Sequence, residues 1–105
     1  MTFSVNETVF IESTSLKLKC AYNTENYTGI VENILWFNED KQIGITESTR
    51  LELLIEDIKT TDSGNYTCKV KLKNGQTFQS NGVKVTIKKR KYQYFEELLK
   101  LIYFK

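Results

Sequence analysis

Apolar and polar side chains alternate along most of the first 88 residues, and a period of two is the mark of strands. Val9 and Ile11 mark a short strand, and Leu16, Leu18 and Cys20 alternate with Lys17 and Lys19. Asn23 to Gly29 is polar and reads as a loop. Ile34-Leu35-Trp36-Phe37 is an apolar run of strand length, followed by the turn-like Asn38-Glu39-Asp40-Lys41. Ile43 and Ile45 flank Gly44, as in an edge strand, and Leu51, Leu53 and Ile55 alternate again. Tyr66, Cys68, Val70 and Leu72 alternate with Thr67, Lys69, Lys71 and Lys73. Asn74-Gly75 is a hairpin signal, because both residues accept positive φ. Val83, Val85 and Ile87 then alternate with Lys84, Thr86 and Lys88. Strand signals at roughly ten-residue spacing, with no helical period before residue 91, predict an all-β sandwich or barrel.

The end of the chain changes period. Phe95, Leu98, Leu99 and Ile102 fall at i, i+3, i+4 and i+7, and Glu96 and Lys100 form a favourable i, i+4 pair. The spacing predicts a C-terminal amphipathic helix with a wide apolar face. A free helix of this length is marginal in water, so that face needs cover. The protein's own sheet, a second copy of the chain and a following domain are the available covers. A homodimer that exchanges helices symmetrically is the preferred one. The expected organisation is a β domain over residues 1–88 and a basic exit with the helix over 89–105.

Composition narrows the chemistry. The 105 residues, 40% hydrophobic and 27% charged, suit one globular domain. No stretch is long and apolar enough to span a membrane. The start lacks a basic-then-apolar leader, which leaves two expectations: a secretion signal absent from this chain, or an intracellular protein. The chain has no His, which excludes Ser-His-Asp and Cys-His catalysis and His-bearing zinc sites. The two Cys stand 48 apart and form no C-x-x-C motif; they could form one disulfide. Neither a metal nor a cofactor is expected. The body to residue 87 carries a net −2 and the remainder +4. A nearly neutral body with a basic tail does not read as a nucleic-acid binder. Lys88-Lys89-Arg90-Lys91 reads as a solvated exit that discourages edge pairing.

One combined pattern is specific. Cys20 is followed by Trp36, and Leu53-x-Ile55-x-x-Ile58-x-x-x-Asp62-Ser63-Gly64-x-Tyr66-x-Cys68 closes it. It resembles the signature of immunoglobulin-superfamily domains, over residues 2–88. The resemblance implies a Greek-key β-sandwich of seven or eight strands with Cys20 bonded to Cys68. That bond would close a 49-residue loop, worth about 4 kcal/mol on the chain-entropy model. Trp36 would pack on it, and Tyr66 would hydrogen-bond back to the turn before it. Gly64 would take a backbone conformation costly for other residues. Leu53, Ile55 and Ile58 would plug the base of the core. The short connection from Trp36 to the next strand of the other sheet is similar to the intermediate (I-set) type. Whether Arg50 pairs with Asp62, as an Arg and an Asp do in variable domains, is open. Cys20, Trp36, Asp62, Gly64, Tyr66 and Cys68 are read as determinants of fold, not of chemistry.

Two sets of residues point toward function. Asn6, Asn26 and Asn65 each begin an N-x-[ST] sequon, where chance alone gives about one or two in a chain with 8 Asn and 18 Ser plus Thr. Asn26, in a polar loop, is the favoured candidate. The second set follows from strand alternation. If Ile34, Trp36, Cys68 and Val70 point inward, then Leu35, Phe37, Thr67, Lys69 and Lys71 point outward on one sheet. An apolar centre with a lysine rim suits a protein partner, unless the strand of Ile43 and Ile45 or the tail covers it.

The resemblance thus implies an extracellular binding module of a cell-surface or secreted protein, acting in adhesion, receptor or immune recognition through non-covalent contact. The expected partner is a protein ligand or receptor; neither nucleic acid nor a small-molecule substrate is expected, and no enzyme. The alternative is an intracellular structural domain similar to those of muscle scaffolds, in which a helix runs out of the last strand. Free thiols counted in the denatured, unreduced protein separate the two readings. Zero is expected for the extracellular module and two for the intracellular one.

Overall fold

Period-two alternation is realised as strands that bury every second side chain. The computed structural model describes residues 1–5, 8–23 and 29–90. The expected C-terminal helix, with Phe95, Leu98, Leu99 and Ile102, lies outside the described residues. The strands are β1 (Thr2–Val5), β2 (Val9–Ile11), β3 (Leu16–Ala21), β4 (Val31–Asn38), β5 (Lys41–Glu47), β6 (Glu52–Ile55), β7 (Gly64–Leu72), β8 (Thr77–Gln79) and β9 (Val83–Lys88). A 3-10 turn, Thr60–Asp62, precedes β7. β1, β3 and β6 form a three-stranded sheet in the order β1-β3-β6. The other six strands form the second sheet, in the order β2-β9-β7-β4-β5 with β8 also paired to β7.

The sandwich is as expected, but among the described residues it has nine strands rather than seven or eight. The extra strands arise at two interruptions. The first segment changes sheets: β1 pairs antiparallel with β3, whereas β2 pairs parallel with β9. The last segment breaks between β8 and β9. There the Cys68 N–H donates to Ser80 Oγ at 2.9 Å, and the Ser80 N–H donates to the Cys68 carbonyl at 2.9 Å. The next residue turns its side chain away to β1: Asn81 Oδ1 accepts from the Phe3 N–H at 3.0 Å, and Asn81 Nδ2 donates to the Phe3 carbonyl at 3.2 Å.

The core lies between the sheets. Leu16, Leu18 and Cys20 from β3 face Ile34, Trp36, Tyr66, Cys68, Val85 and Ile87 from the larger sheet. Phe3 and Phe10 join them, and the Phe3 ring meets Trp36 edge-on, centroids 6.3 Å apart. Ile58 is fully buried, while Leu53 and Ile55 pack against the core partly exposed. In β2 the phase is the reverse of the one the two aliphatics suggest. Phe10 is buried and Val9 and Ile11 are outside, because the larger ring takes the inward position.

The Asn74-Gly75 hairpin forms between β7 and β8, with a different turn from the one expected. Only Gly75 has positive φ, at 92°. The Gly75 N–H donates to the Leu72 carbonyl at 3.0 Å, and Asn74 Oδ1 accepts from the Gln76 N–H at 2.9 Å. Asn74 therefore stabilises the turn through its side chain and does not need the left-handed conformation.

Trp36 is fully buried, and its Nε1 donates to Thr46 Oγ1 at 3.0 Å. Trp36→Ala is expected to lower stability by about 3–5 kcal/mol in denaturant melts, as for other large buried aromatics. A loss below about 1 kcal/mol would contradict its central place.

Candidate functional site

The inter-sheet bond and its neighbours set the geometry. Cys20 and Cys68 are bonded, with Cα atoms 6.2 Å apart. Trp36 is the direct cross-strand partner of Cys68. Both side chains point inward, so their strand neighbours point out. Leu35 stands opposite Lys69, Phe37 opposite Thr67, and Asn33 opposite Lys71. Leu35, Phe37, Lys69 and Lys71 thus share the outer face of the six-stranded sheet, as alternation implied.

Lys69 does more than rim this patch. Its ammonium lies 4.6 Å from the centroid of the Phe37 ring. A cation over a partly exposed ring is worth about 0.5–1 kcal/mol. The sequence reading left open whether β5 covers Phe37. It does not: Ile45 pairs with Leu35 on the same face and is 57% exposed, so it enlarges the patch. A bulge between Trp36 and Phe37 leaves Gln42, not Ile43, opposite Phe37. Ile43 packs toward the core. Thr67 lies on the outer face by register but is only 6% exposed, on a strand flanked by β4 and β9. Ile45, considered only as part of a possible cover for Phe37, is instead part of the patch. The bulge that separates it from Ile43 leaves no mark in the alternation.

The opposite face is polar. Lys17, Lys19, Arg50, Glu52 and Leu54 line a shallow depression on the three-stranded sheet. Lys17 pairs with Glu52 at 3.6 Å, both side chains about half exposed, and such pairs contribute little.

The signature residues before Cys68 form one connected unit. Asp62 Oδ2 accepts from the Lys59 N–H at 2.8 Å and closes the 3-10 turn. Arg50 makes no ion pair with Asp62; the carboxylate is engaged by backbone instead. The Tyr66 hydroxyl donates to the Asp62 carbonyl, which also accepts from Asn38 Nδ2 at 3.2 Å. Gly64 has φ 157°, and a Cβ there would stand 2.1 Å from Asn38 Oδ1. Both facts reserve the position for glycine. Of the sequon residues, Asn65 is exposed at the start of β7, and Asn6 and Asn26 lie outside the described residues. No group of His, Cys, Asp or Glu able to hold a metal occurs among the described residues. Among the same residues no helix is long and apolar enough to cross a membrane.

Among the described residues, Tyr66 is also the group with a shifted titration. Burial pushes its hydroxyl up to about 12, the Asp62 charge adds to this, and a hydrogen bond with Asn38 opposes it. The folded state thus favours the neutral phenol. Its contribution is complete below pH about 10, the unfolded value, and is lost as pH rises through 12. Tyr66→Phe is expected to cost about 1 kcal/mol near neutral pH, since Asp62 keeps a second donor. Denaturant melts of both proteins from pH 8 to 12 check the sign. The gap between them should close and then reverse, whereas a constant gap would deny the shift.

A family model described as immunoglobulin domain matches residues 1–87. The fibronectin(III)-like modules of Clostridium thermocellum CbhA superpose with a TM-score of 0.69 at 13% identity, over 84% of this chain and 96% of theirs. Murine CEACAM1b gives a TM-score of 0.66 at 26% identity, over 83% of this chain and 43% of that one. Extracellular domains 3–5 of Drosophila OTK give 0.66 at 14% identity, over 83% of this chain and 34% of that one. The first and third likenesses show the fold alone, and this chain spans less than half of the CEACAM1b and OTK chains. No curated protein matches by sequence.

Proposed function

The chain belongs to the immunoglobulin domain family, and on that premise we propose that it is an extracellular, non-catalytic binding module that engages a protein partner through the outer face of its six-stranded sheet. The observation that carries this reading is the Leu35–Phe37–Ile45 patch with Lys69 seated over the Phe37 ring. Leu35 and Phe37 are half-buried and Ile45 is exposed, and an apolar centre with polar surroundings is the composition of a protein interface. The lysine adds a directional element: the partner best suited presents an acidic side chain among apolar ones. The Cys20–Cys68 bond supports an oxidising setting over an intracellular scaffold. The split first strand, and the passage from β5 to β6 with no intervening strand, support the intermediate type of the family.

A screen against displayed cell-surface ectodomains tests the assignment. The partner found should lose at least tenfold in affinity with Phe37→Ala and with Lys69→Glu, as truncation of interface anchors commonly costs 2 kcal/mol or more. Lys17→Glu, on the other sheet, should leave binding unchanged. The reverse pattern, loss with Lys17→Glu and retention in the other two, would place the interface on the three-stranded sheet and overturn the reading.

A further inference from the structure

We propose that Asn65 carries an N-linked glycan, and that this glycan screens the Phe37–Lys69 face. The screening role rests on the binding role of that face; the attachment does not. Asn65-Tyr66-Thr67 is a sequon whose residues are all described. Tyr66 points into the core, so Asn65 and Thr67 point outward, on the side that carries Phe37 and Lys69. Thr67 is the direct neighbour of Phe37. Two residues on one face of a strand stand about 7 Å apart. A sugar on Asn65 therefore begins one step along β7 from Thr67, with Phe37 on the adjacent strand beside it.

Asn65 is exposed, and its amide lies over Gly82. A Cβ at Gly82 would come within 2.6 Å of Asn65 Nδ2 and 2.7 Å of Oδ1, so the glycine keeps open the space the amide occupies. The backbone of Asn65 is fixed independently of its side chain. Its N–H donates to Glu39 Oε1 at 2.9 Å, and its carbonyl accepts from the Glu39 N–H at 2.8 Å. A change at the amide nitrogen leaves both bonds in place.

In the transfer, Asn65 Nδ2 attacks the anomeric carbon of an oligosaccharide carried on a polyprenyl diphosphate. A C–N bond forms, the bond from sugar to diphosphate breaks, Nδ2 gives up one proton, and the diphosphate leaves as the anion. No electron donor or acceptor is involved. Thr67, the hydroxyl that the sequon requires, is 6% exposed once β7 is in the sheet. The transfer therefore precedes folding of this strand.

The test uses the full 105-residue chain, secreted from a eukaryotic host behind an added signal. Peptide mapping after glycosidase treatment should find Asn65 converted to Asp. Acylation of Lys69 by an amine-reactive ester should be at least threefold slower in the glycosylated chain than in Asn65→Gln, with Lys17 on the opposite sheet unchanged. If Asn65→Gln does not fold, glycan removed enzymatically from the folded chain supplies the same comparison. Unmodified Asn65 in secreted, folded protein overturns the attachment. A modified Asn65 with equal Lys69 labelling overturns the screening. Neither readout uses the partner, so both stand apart from the failure of the binding assignment.

Discussion

The bond between Cys20 and Cys68 is the constraint on which the other positions depend. It joins β3 in one sheet to β7 in the other and fixes both as inward-facing. Trp36, directly across from Cys68, extends the same phase to β4. A slip of one residue in any of the three strands would turn its core set to solvent. The bond restricts a loop 48 residues in span, worth about 4 kcal/mol on the chain-entropy model, against total stabilities of about 5–15 kcal/mol for such domains. The outer face is the complement of this choice: Leu35, Phe37, Lys69 and Lys71 are outside because their neighbours are committed inside.

Side chains complete the hydrogen bonding where strands end. Asn81 offers Phe3 an acceptor and a donor on one amide, as a neighbouring strand would, and so covers the edge of β1. Ser80 meets Cys68 with its hydroxyl oxygen as acceptor and its backbone N–H as donor at the break between β8 and β9. Ser63 Oγ accepts from the Ile87 N–H at 2.9 Å, and Thr46 Oγ1 passes the Trp36 bond on to the Arg50 carbonyl at 2.9 Å. Backbone groups left unpaired at such places would cost about 1–3 kcal/mol each. These polar residues hold the two sheets in one arrangement at points where alternation has nothing to say.

That distinction explains what the sequence disclosed. The disulfide, the place of Trp36 and the Tyr66 corner were implied by the resemblance to the immunoglobulin signature, and the shared face of Leu35, Phe37, Lys69 and Lys71 follows from period two. What it hid depends on departures from the period. The bulge in β5 turns Ile43 toward the core while Ile45 stays on the outer face, and no residue type announces it. In β2, on the other sheet from β1, the larger Phe10 ring takes the inward position where Val9 and Ile11 suggested the opposite face. Phe3 was legible in principle from Phe3-x-Val5, yet its contact with Trp36 is a tertiary fact. The arrangement of Lys69 over Phe37 is another, since alternation places both on one face but does not bring a flexible ammonium onto a ring.

The face is also stiffened at its end. Glu39, in the turn between β4 and β5, has φ 55°, a conformation uncommon outside glycine and asparagine. It is held there by two bonds exchanged with Asn65, one from its backbone and one to its carboxylate. The turn is thereby tied to the first residues of β7, next to the corner formed by Tyr66, Asp62 and Asn38. Strain of this kind persists only where the surroundings over-determine it. Its consequence for recognition is entropic. A partner that meets β4, β5 and β7 meets backbone already ordered by a disulfide at the centre and a cross-linked turn at the end. Little of the interaction free energy is then lost to ordering this surface, so a modest apolar patch with one well-placed cation can suffice where a loop-built site would need more area.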